Sequence, residues 1–271
     1  MTRPKTPDGN SVYLRAVTED ILGWSDPKAR LKKALAENDF LLFAQRIHSL
    51  QTRLPAAFFC EVLLRLREEE DNMLPPGGFF PVAESLGMLE DIDRWAVKNT
   101  LSWSAGKADA PVCFINLSLD SIRNPAFAVY VRQQIETKKV PGTQLCFEIT
   151  EPDVLVQADA VRQLISSLKP RGCLFALDNF GSVKVSFNHV KDLPIDYLKV
   201  DGSIIQNILK SSGNLARARA ISLTCQRLGI RTIAQNVEQK DVMTKLHEIG
   251  FDYVQGFGIS HPGPIEGLKA S

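Results

Sequence analysis

The sequence predicts an α/β fold, a (β/α)₈ barrel of the TIM type, and three observations carry that prediction. Short apolar, β-favouring runs recur along the chain, most of them separated by longer helix-patterned segments. Eight such runs fit the length of one closed barrel. Near the end of each run sits one polar residue, at the point where a barrel strand delivers a side chain to the mouth. The competing arrangement, an open doubly wound sheet, lacks its usual GxGxxG turn after the first strand.

Taken in order, the runs are residues 40–47 (FLLFAQRI), 57–66 (AFFCEVLLRL), 112–118 (VCFINLS) and 145–151 (LCFEITE), then 174–180 (LFALDNF), 197–201 (YLKVD), 231–237 (RTIAQNV) and 253–258 (YVQGFG). The first two are close enough for a hairpin-like connection. The others are separated by helix start and stop signals. Pro152 stands early in a helix expected to run to about residue 168, where Pro170 and Gly172 stop it. A second helix is expected over 238–249, with Val242, Leu246 and Ile249 on one face and Gly250 as its stop. Nearly continuous apolar strands alternating with helices call for a parallel sheet covered on both sides.

Composition bounds the function classes. The chain has 271 residues, 32 Lys+Arg against 31 Asp+Glu and a net charge of +1, which gives no footprint for a nucleic-acid polymer. No apolar run is long enough to span a bilayer, and the polar first ten residues have no signal-peptide core, so a cytoplasmic location is expected. Cys60, Cys113, Cys146, Cys173 and Cys225 form no CxxC pair and read as small buried residues in a reducing compartment.

The polar residues that interrupt the runs are Gln45, Glu61, Asn116, Glu148, Asp178, Lys199, Gln235 and Gln255. A charge inside an apolar strand costs several kcal/mol unless it is paired or bound to metal. Eight such residues in register point to a site. Glu61, Asn116, Glu148 and Asp178 are hard oxygen donors suited to Mg²⁺, Mn²⁺ or Ca²⁺, and the four scattered histidines offer no zinc pair. A hard cation beside Lys199 and Arg65 suits a phosphate ester.

These residues also carry a family resemblance. Glu61-Val62-Leu63 with Arg65 resembles the Glu-Ala-Leu signature of the EAL domain, the bacterial cyclic di-GMP phosphodiesterase family. Gln45-Arg46-Ile47, Phe80-Pro81-Val82-Ala83-Glu84, Asp93-Arg94-Trp95 and Asn116-Leu117-Ser118 continue it. So do the motifs Phe147-Glu148-Ile149-Thr150-Glu151, Leu193-Pro194-Ile195-Asp196-Tyr197-Leu198-Lys199-Val200-Asp201 and Val254-Gln255-Gly256-Phe257, all in the family's order. The resemblance implies a barrel at 27–268 whose first strand is antiparallel, with a linker or tail at 1–26 and a short tail at 269–271. It further implies cyclic di-GMP as ligand, and two divalent metals (Mg²⁺ or Mn²⁺) in members that cleave it to pGpG. By the same resemblance Glu61, Asn116, Glu148 and Asp178 hold the first metal, Lys199 positions the water, and Glu238 with Glu151 supplies supporting carboxylates. Gln45, Arg46, Leu63, Arg65, Asn116, Asp178, Lys199 and Gln255 are the expected ligand-binding positions; if the chain is active, Glu61, Lys199 and Glu238 are the catalytic ones.

The sequence departs from the family at two carboxylates. Asp-Asp-Phe-Gly becomes Asp178-Asn179-Phe180-Gly181, and Ala-Glu-Gly-Val-Glu becomes Ala234-Gln235-Asn236-Val237-Glu238. Asn179 and Gln235 therefore stand at the second-metal positions without the charge that holds a dication, and Gln235 cannot act as a base. One metal is expected and the second weakened. The glycine-rich loop after the fifth strand also changes, to Gly181-Ser182-Val183-Lys184-Val185-Ser186. Arg46, where the family has proline, adds a cation that either contacts phosphate or is solvated. The leading expectation is a degenerate cyclic di-GMP receptor or signalling module with little or no hydrolysis. An active Mg/Mn-dependent phosphodiesterase and a nucleotide-independent protein-interaction module are the alternatives. An upstream sensory or GGDEF domain, a downstream protein partner and a homodimer are compatible with the family, while residues 12–24 have the pattern of a short amphipathic helix and Ser25 or Asp26 that of an N-cap.

Overall fold

The computed structural model describes residues 23–51, 58–68, 72–107, 109–182 and 186–269. Most of the amphipathic pattern over 12–24 and the valines of the 181–186 loop lie outside these residues. Asp26 caps the first described helix, α1 (Pro27–Glu37), by accepting from the Ala29 amide at 3.0 Å, with Pro27 at its first turn.

The barrel strands are β1 (Phe40–Ser49), β2 (Phe59–Arg67), β4 (Val112–Asn116), β5 (Leu145–Thr150), β6 (Leu174–Phe180), β7 (Tyr197–Val200), β8 (Arg231–Ala234) and β9 (Tyr253–Val254). Two-residue strands β3 (Met73–Leu74) and β10 (Gly263–Pro264) hang on the outer pairings of β2 and β1. From β2 through β9 every barrel pairing is parallel. The circle closes through β1, which runs antiparallel to both β2 and β9, with Gln45 opposite Glu61. Closure excludes the open doubly wound sheet, and the reversed first strand matches the short hairpin-like link read from the sequence.

Helices cover the outside. The segment expected as one helix from 151 to about 168 is two, α6 (Glu151–Val156) and α7 (Ala158–Leu168), with the break at Gln157. Thr150 caps the first piece through the Asp153 amide, and Gln157 leaves helical geometry at φ −136°. The helix expected over 238–249 is the shorter α10 (Lys240–Glu248), which buries Val242 and Leu246 as the pattern required. All five cysteines are buried free thiols, and Cys60 and Cys113 face each other across β2 and β4 at 3.9 Å.

One residue from each barrel strand builds the interior plug: Ile47, Phe59, Phe114, Cys146, Ala176, Tyr197, Ile233 and Tyr253. The rings interlock, Phe59 with Phe114 at 5.7 Å and Phe114 with Tyr197 at 5.1 Å between centroids. A barrel filled this way is a packed core with no pore. Phe114→Ala is therefore expected to cost about 3–5 kcal/mol in urea unfolding, because its neighbours are held by different strands and cannot collapse into the gap.

Candidate functional site

Side chains on a strand alternate between faces, so the residue two places beyond each plug residue points into the same barrel interior one layer higher. From Phe59, Phe114, Cys146, Ala176, Tyr197, Ile233 and Tyr253 that step leads to Glu61, Asn116, Glu148, Asp178, Lys199, Gln235 and Gln255. On the reversed β1 it leads from Ile47 back to Gln45. The eight polar residues singled out in the sequence thus form one layer above the plug, and the structure brings all of them together.

Lys199 is the hub. Its side chain is 0% exposed, and its ammonium reaches Glu148 Oε1 at 2.6 Å, Glu61 Oε2 at 2.9 Å and Asp178 Oδ1 at 3.6 Å. Asn116 Nδ2 donates to Glu61 Oε1 at 2.8 Å, and Gln255 Nε2 donates to Glu61 Oε2 at 2.6 Å and to Gln45 Oε1 at 3.0 Å. Gln45 Nε2 continues to the Ser260 carbonyl at 2.9 Å. On the far side, Gln235 Nε2 donates to Asp178 Oδ1 at 2.9 Å and Asn179 Nδ2 to Asp178 Oδ2 at 2.8 Å. Every member of the ring belongs to this one network.

Three carboxylates surround one ammonium, so the cluster holds excess negative charge. Burial disfavours the Lys199 cation, but Glu148, Glu61 and Asp178 outweigh it and hold the ammonium charged well above its ordinary range. Burial, with the neighbouring Glu61 charge, pushes the Glu148 carboxyl well up. Burial also raises Asp178, against the opposing pull of Lys199. For Glu61, burial acts upward and loses to Lys199 and to the hydrogen bonds from Lys199, Gln255 and Asn116, which leave it below its ordinary value.

The donor set has the chemistry of a single hard-cation position. Glu61, Asn116, Glu148 and Asp178 all carry oxygen donors, and Glu148 Oε2 is buried with no hydrogen-bond partner. Among the described residues no three His, Cys, Asp or Glu side chains are spaced to hold a metal ion. The Lys199 ammonium sits among the carboxylates instead. On the far side of Asp178 the neighbours are two neutral amides, which donate to its two oxygens.

The remaining expected positions lie around this ring. Glu151, buried, accepts from the Gly181 amide at 3.0 Å and ties β5 to the loop after β6, while Glu238 is exposed beyond β8. Arg65 lies over the Phe43 ring at 5.1 Å and donates to the Leu64 carbonyl at 2.7 Å; Leu63 is half-buried opposite Phe43. Arg46 donates to the Lys269 carbonyl at 2.7 Å and lies over Phe58 at 4.8 Å.

Two residues that the sequence shows only as parts of motifs, with no role assigned, prove to be supports. Asp93, on α3 (Leu89–Ser104), accepts at Oδ2 from the Ser118 amide at 2.8 Å and from the Ser118 and Ser121 hydroxyls at 2.6 Å each. It anchors the turn that follows Asn116, and burial pushes its carboxyl up to about 6 despite these donors. The Ser118-x-x-Ser121 spacing after a strand was the available signal. The second is Phe257, exposed and stacked on His261 at 4.9 Å, just past Gln255.

Removing the hub tests the electrostatics. Lys199→Met is expected to cost about 3–5 kcal/mol near neutral pH, since Glu61 and Glu148 lose their buried counter-ion. Without the ammonium both carboxyls titrate above their unfolded value of about 4.3. A raised folded value means that the fold takes up protons as pH falls, so the penalty is smallest at low pH and grows as pH rises through the raised values. Thermal melts should show a smaller gap between variant and wild type at pH 5 than at pH 8.

The family model of the EAL domain matches residues 28–262. The cyclic di-GMP phosphodiesterase PdeF of Escherichia coli is 33% identical over 258 residues, covering 94% of this chain and 34% of that protein. The cyclic di-GMP phosphodiesterase PdeB of Shewanella oneidensis is 31% identical over 239 residues, covering 87% of this chain and 28% of its own length. The chain thus spans about a third of these relatives. Among solved structures, the FimX EAL domain of Pseudomonas aeruginosa bound to c-di-GMP superposes with a TM-score of 0.85 at 28% identity, covering 91% of this chain and 100% of that one. The c-di-GMP complex of the Xanthomonas citri FimX EAL domain gives 0.84 at 25% identity, covering 95% and 100%. With its reversed first strand, its polar ring and a match over most of its length, the chain belongs to the EAL domain family.

Proposed function

We propose that this chain binds cyclic di-GMP at the barrel mouth, in a bacterial cytoplasm, as a degenerate receptor or signalling module that hydrolyses the dinucleotide little or not at all. The likeness to two EAL domains solved with c-di-GMP supports the ligand. The observation that carries the rest is the state of Asp178, whose two oxygens accept from Asn179 and Gln235 where a second dication would need added negative charge. One Mg²⁺ or Mn²⁺ held by Glu61, Asn116, Glu148 and Asp178 would neutralise phosphate oxygens and polarise the ester when bound. Cleavage would ask for more: a second dication to neutralise the reacting phosphate, and a carboxylate base for the proton of the water. Neutral Asn179 and Gln235 supply neither. Lys199 can orient a water or a phosphate oxygen, but an ammonium held charged does not accept a proton.

A second reading, a working Mg/Mn-dependent phosphodiesterase, draws on the complete first-metal set and Lys199. One experiment separates them. Incubated with cyclic di-GMP and Mn²⁺, the protein is expected to bind at micromolar concentration or tighter by calorimetry and to release negligible pGpG by chromatography. Robust pGpG release, abolished by Glu61→Ala, establishes the enzyme instead.

A further inference from the structure

Asp178 lies two residues before the end of β6 and Gln235 follows β8, with β7 and its Lys199 lying between those two strands. The 2.9 Å hydrogen bond from Gln235 Nε2 to Asp178 Oδ1 therefore spans a whole strand at the rim. Lys199 does not make this connection alone, since its ammonium is 3.6 Å from Asp178 and closer to Glu148 and Glu61. Asn179 closes on the other oxygen of Asp178 from the adjacent residue, at 2.8 Å.

The backbone is shaped for both amides. Asn179 has φ 56°, a left-handed conformation that folds its short side chain back onto its neighbour, and Asn is among the residues that tolerate it best. Asn236, directly after Gln235, also has φ 56° and turns the chain away from β8. Its side chain packs where a Cβ on Gly202 would fall, 2.3 Å from Asn236 Nδ2. The turn that presents Gln235 is thereby braced against the start of the helix after β7. Carboxylates at 179 and 235 would instead place three like charges at this edge beside the single Lys199 ammonium, 3.6 Å from Asp178, an arrangement that an added cation would stabilise.

From this we infer that Asn179 and Gln235 are positioning residues that replace the second metal structurally: their amides hold Asp178, and through it the β6–β8 side of the mouth, without a divalent ion at that position. The inference extends the proposed ligand-binding function, but its structural half stands without any nucleotide. Two neutral donors stabilise a carboxylate that two further carboxylates would repel, so the loss of charge at these positions is a gain of fixed geometry.

Thermal melts of the full chain in EDTA and in excess Mn²⁺ test it. In EDTA, N179D/Q235E is expected to melt about 5 °C or more below wild type, and Mn²⁺ should close most of that gap. A gap that is absent in EDTA, or unchanged by Mn²⁺, overturns the inference. Should the double variant not fold, Q235A and D178A decide: in a double-mutant cycle in EDTA, Q235A should cost clearly less in the D178A background, and additive costs overturn the inference. Calorimetry with cyclic di-GMP then separates the two claims. Wild type binding in Mn²⁺ with N179D/Q235E recovering only there supports both. No binding by wild type in either condition overturns the nucleotide reading and leaves the melting result to judge the positioning role.

Discussion

A buried ammonium governs this molecule's mouth. Lys199 stands on β7 with no exposed side-chain surface, and three carboxylates from β2, β5 and β6 converge on it. Placing any of these charges in a barrel interior alone would cost several kcal/mol. Together they satisfy one another: burial raises the Glu148 and Asp178 carboxyls, while the three carboxylates outweigh burial and hold the Lys199 ammonium charged. Such a cluster favours added positive charge at this edge of the ring.

Geometry as well as charge descends from that arrangement. The polar layer is ordered because it rests on a layer of interlocked rings two residues below, so each side chain leaves a strand already fixed by packing. The network then fastens strands to one another: Gln255 joins β9 to β1 and β2, Lys199 joins β7 to β2 and β5, and Gln235 joins β8 to β6. A partly satisfied polar network would be a liability in so apolar a setting. Three acceptors, Glu148 Oε2, Gln235 Oε1 and Gln255 Oε1, are buried without partners, and they are the atoms available to a cation or to ligand donors.

Much of this was legible in the sequence because period-two alternation is a local property. A polar residue closing an apolar strand identifies its face and its layer without knowledge of tertiary contacts, and all eight such residues reached the ring. The reversed first strand was legible from the short link between Gln45 and Glu61. Other features were not. Nothing local required the break at Gln157, which ends the short helix that Thr150 caps at its start and precedes the next one. Asp93 acts 25 residues away from Ser118, across a helix–strand contact that no periodicity encodes. For Arg46 the sequence left a phosphate contact and solvation both open, and its bond to the Lys269 carbonyl, 223 residues distant in sequence, was not legible.

The amides at 179 and 235 show where sequence and structure inform each other most. As letters they record only what is missing, two negative charges and one base. In three dimensions each donates to the same aspartate, one from a left-handed turn beside it and one from across a strand. A carboxylate can coordinate a metal or accept a hydrogen bond but cannot donate one when ionised, whereas an amide keeps an acceptor and gains two donors. Substitution by the amide therefore exchanges a metal-dependent connection for a covalently resident one. On the proposed reading, catalytic charge is exchanged for positional order, a combination that suits a site that recognises a ligand without consuming it.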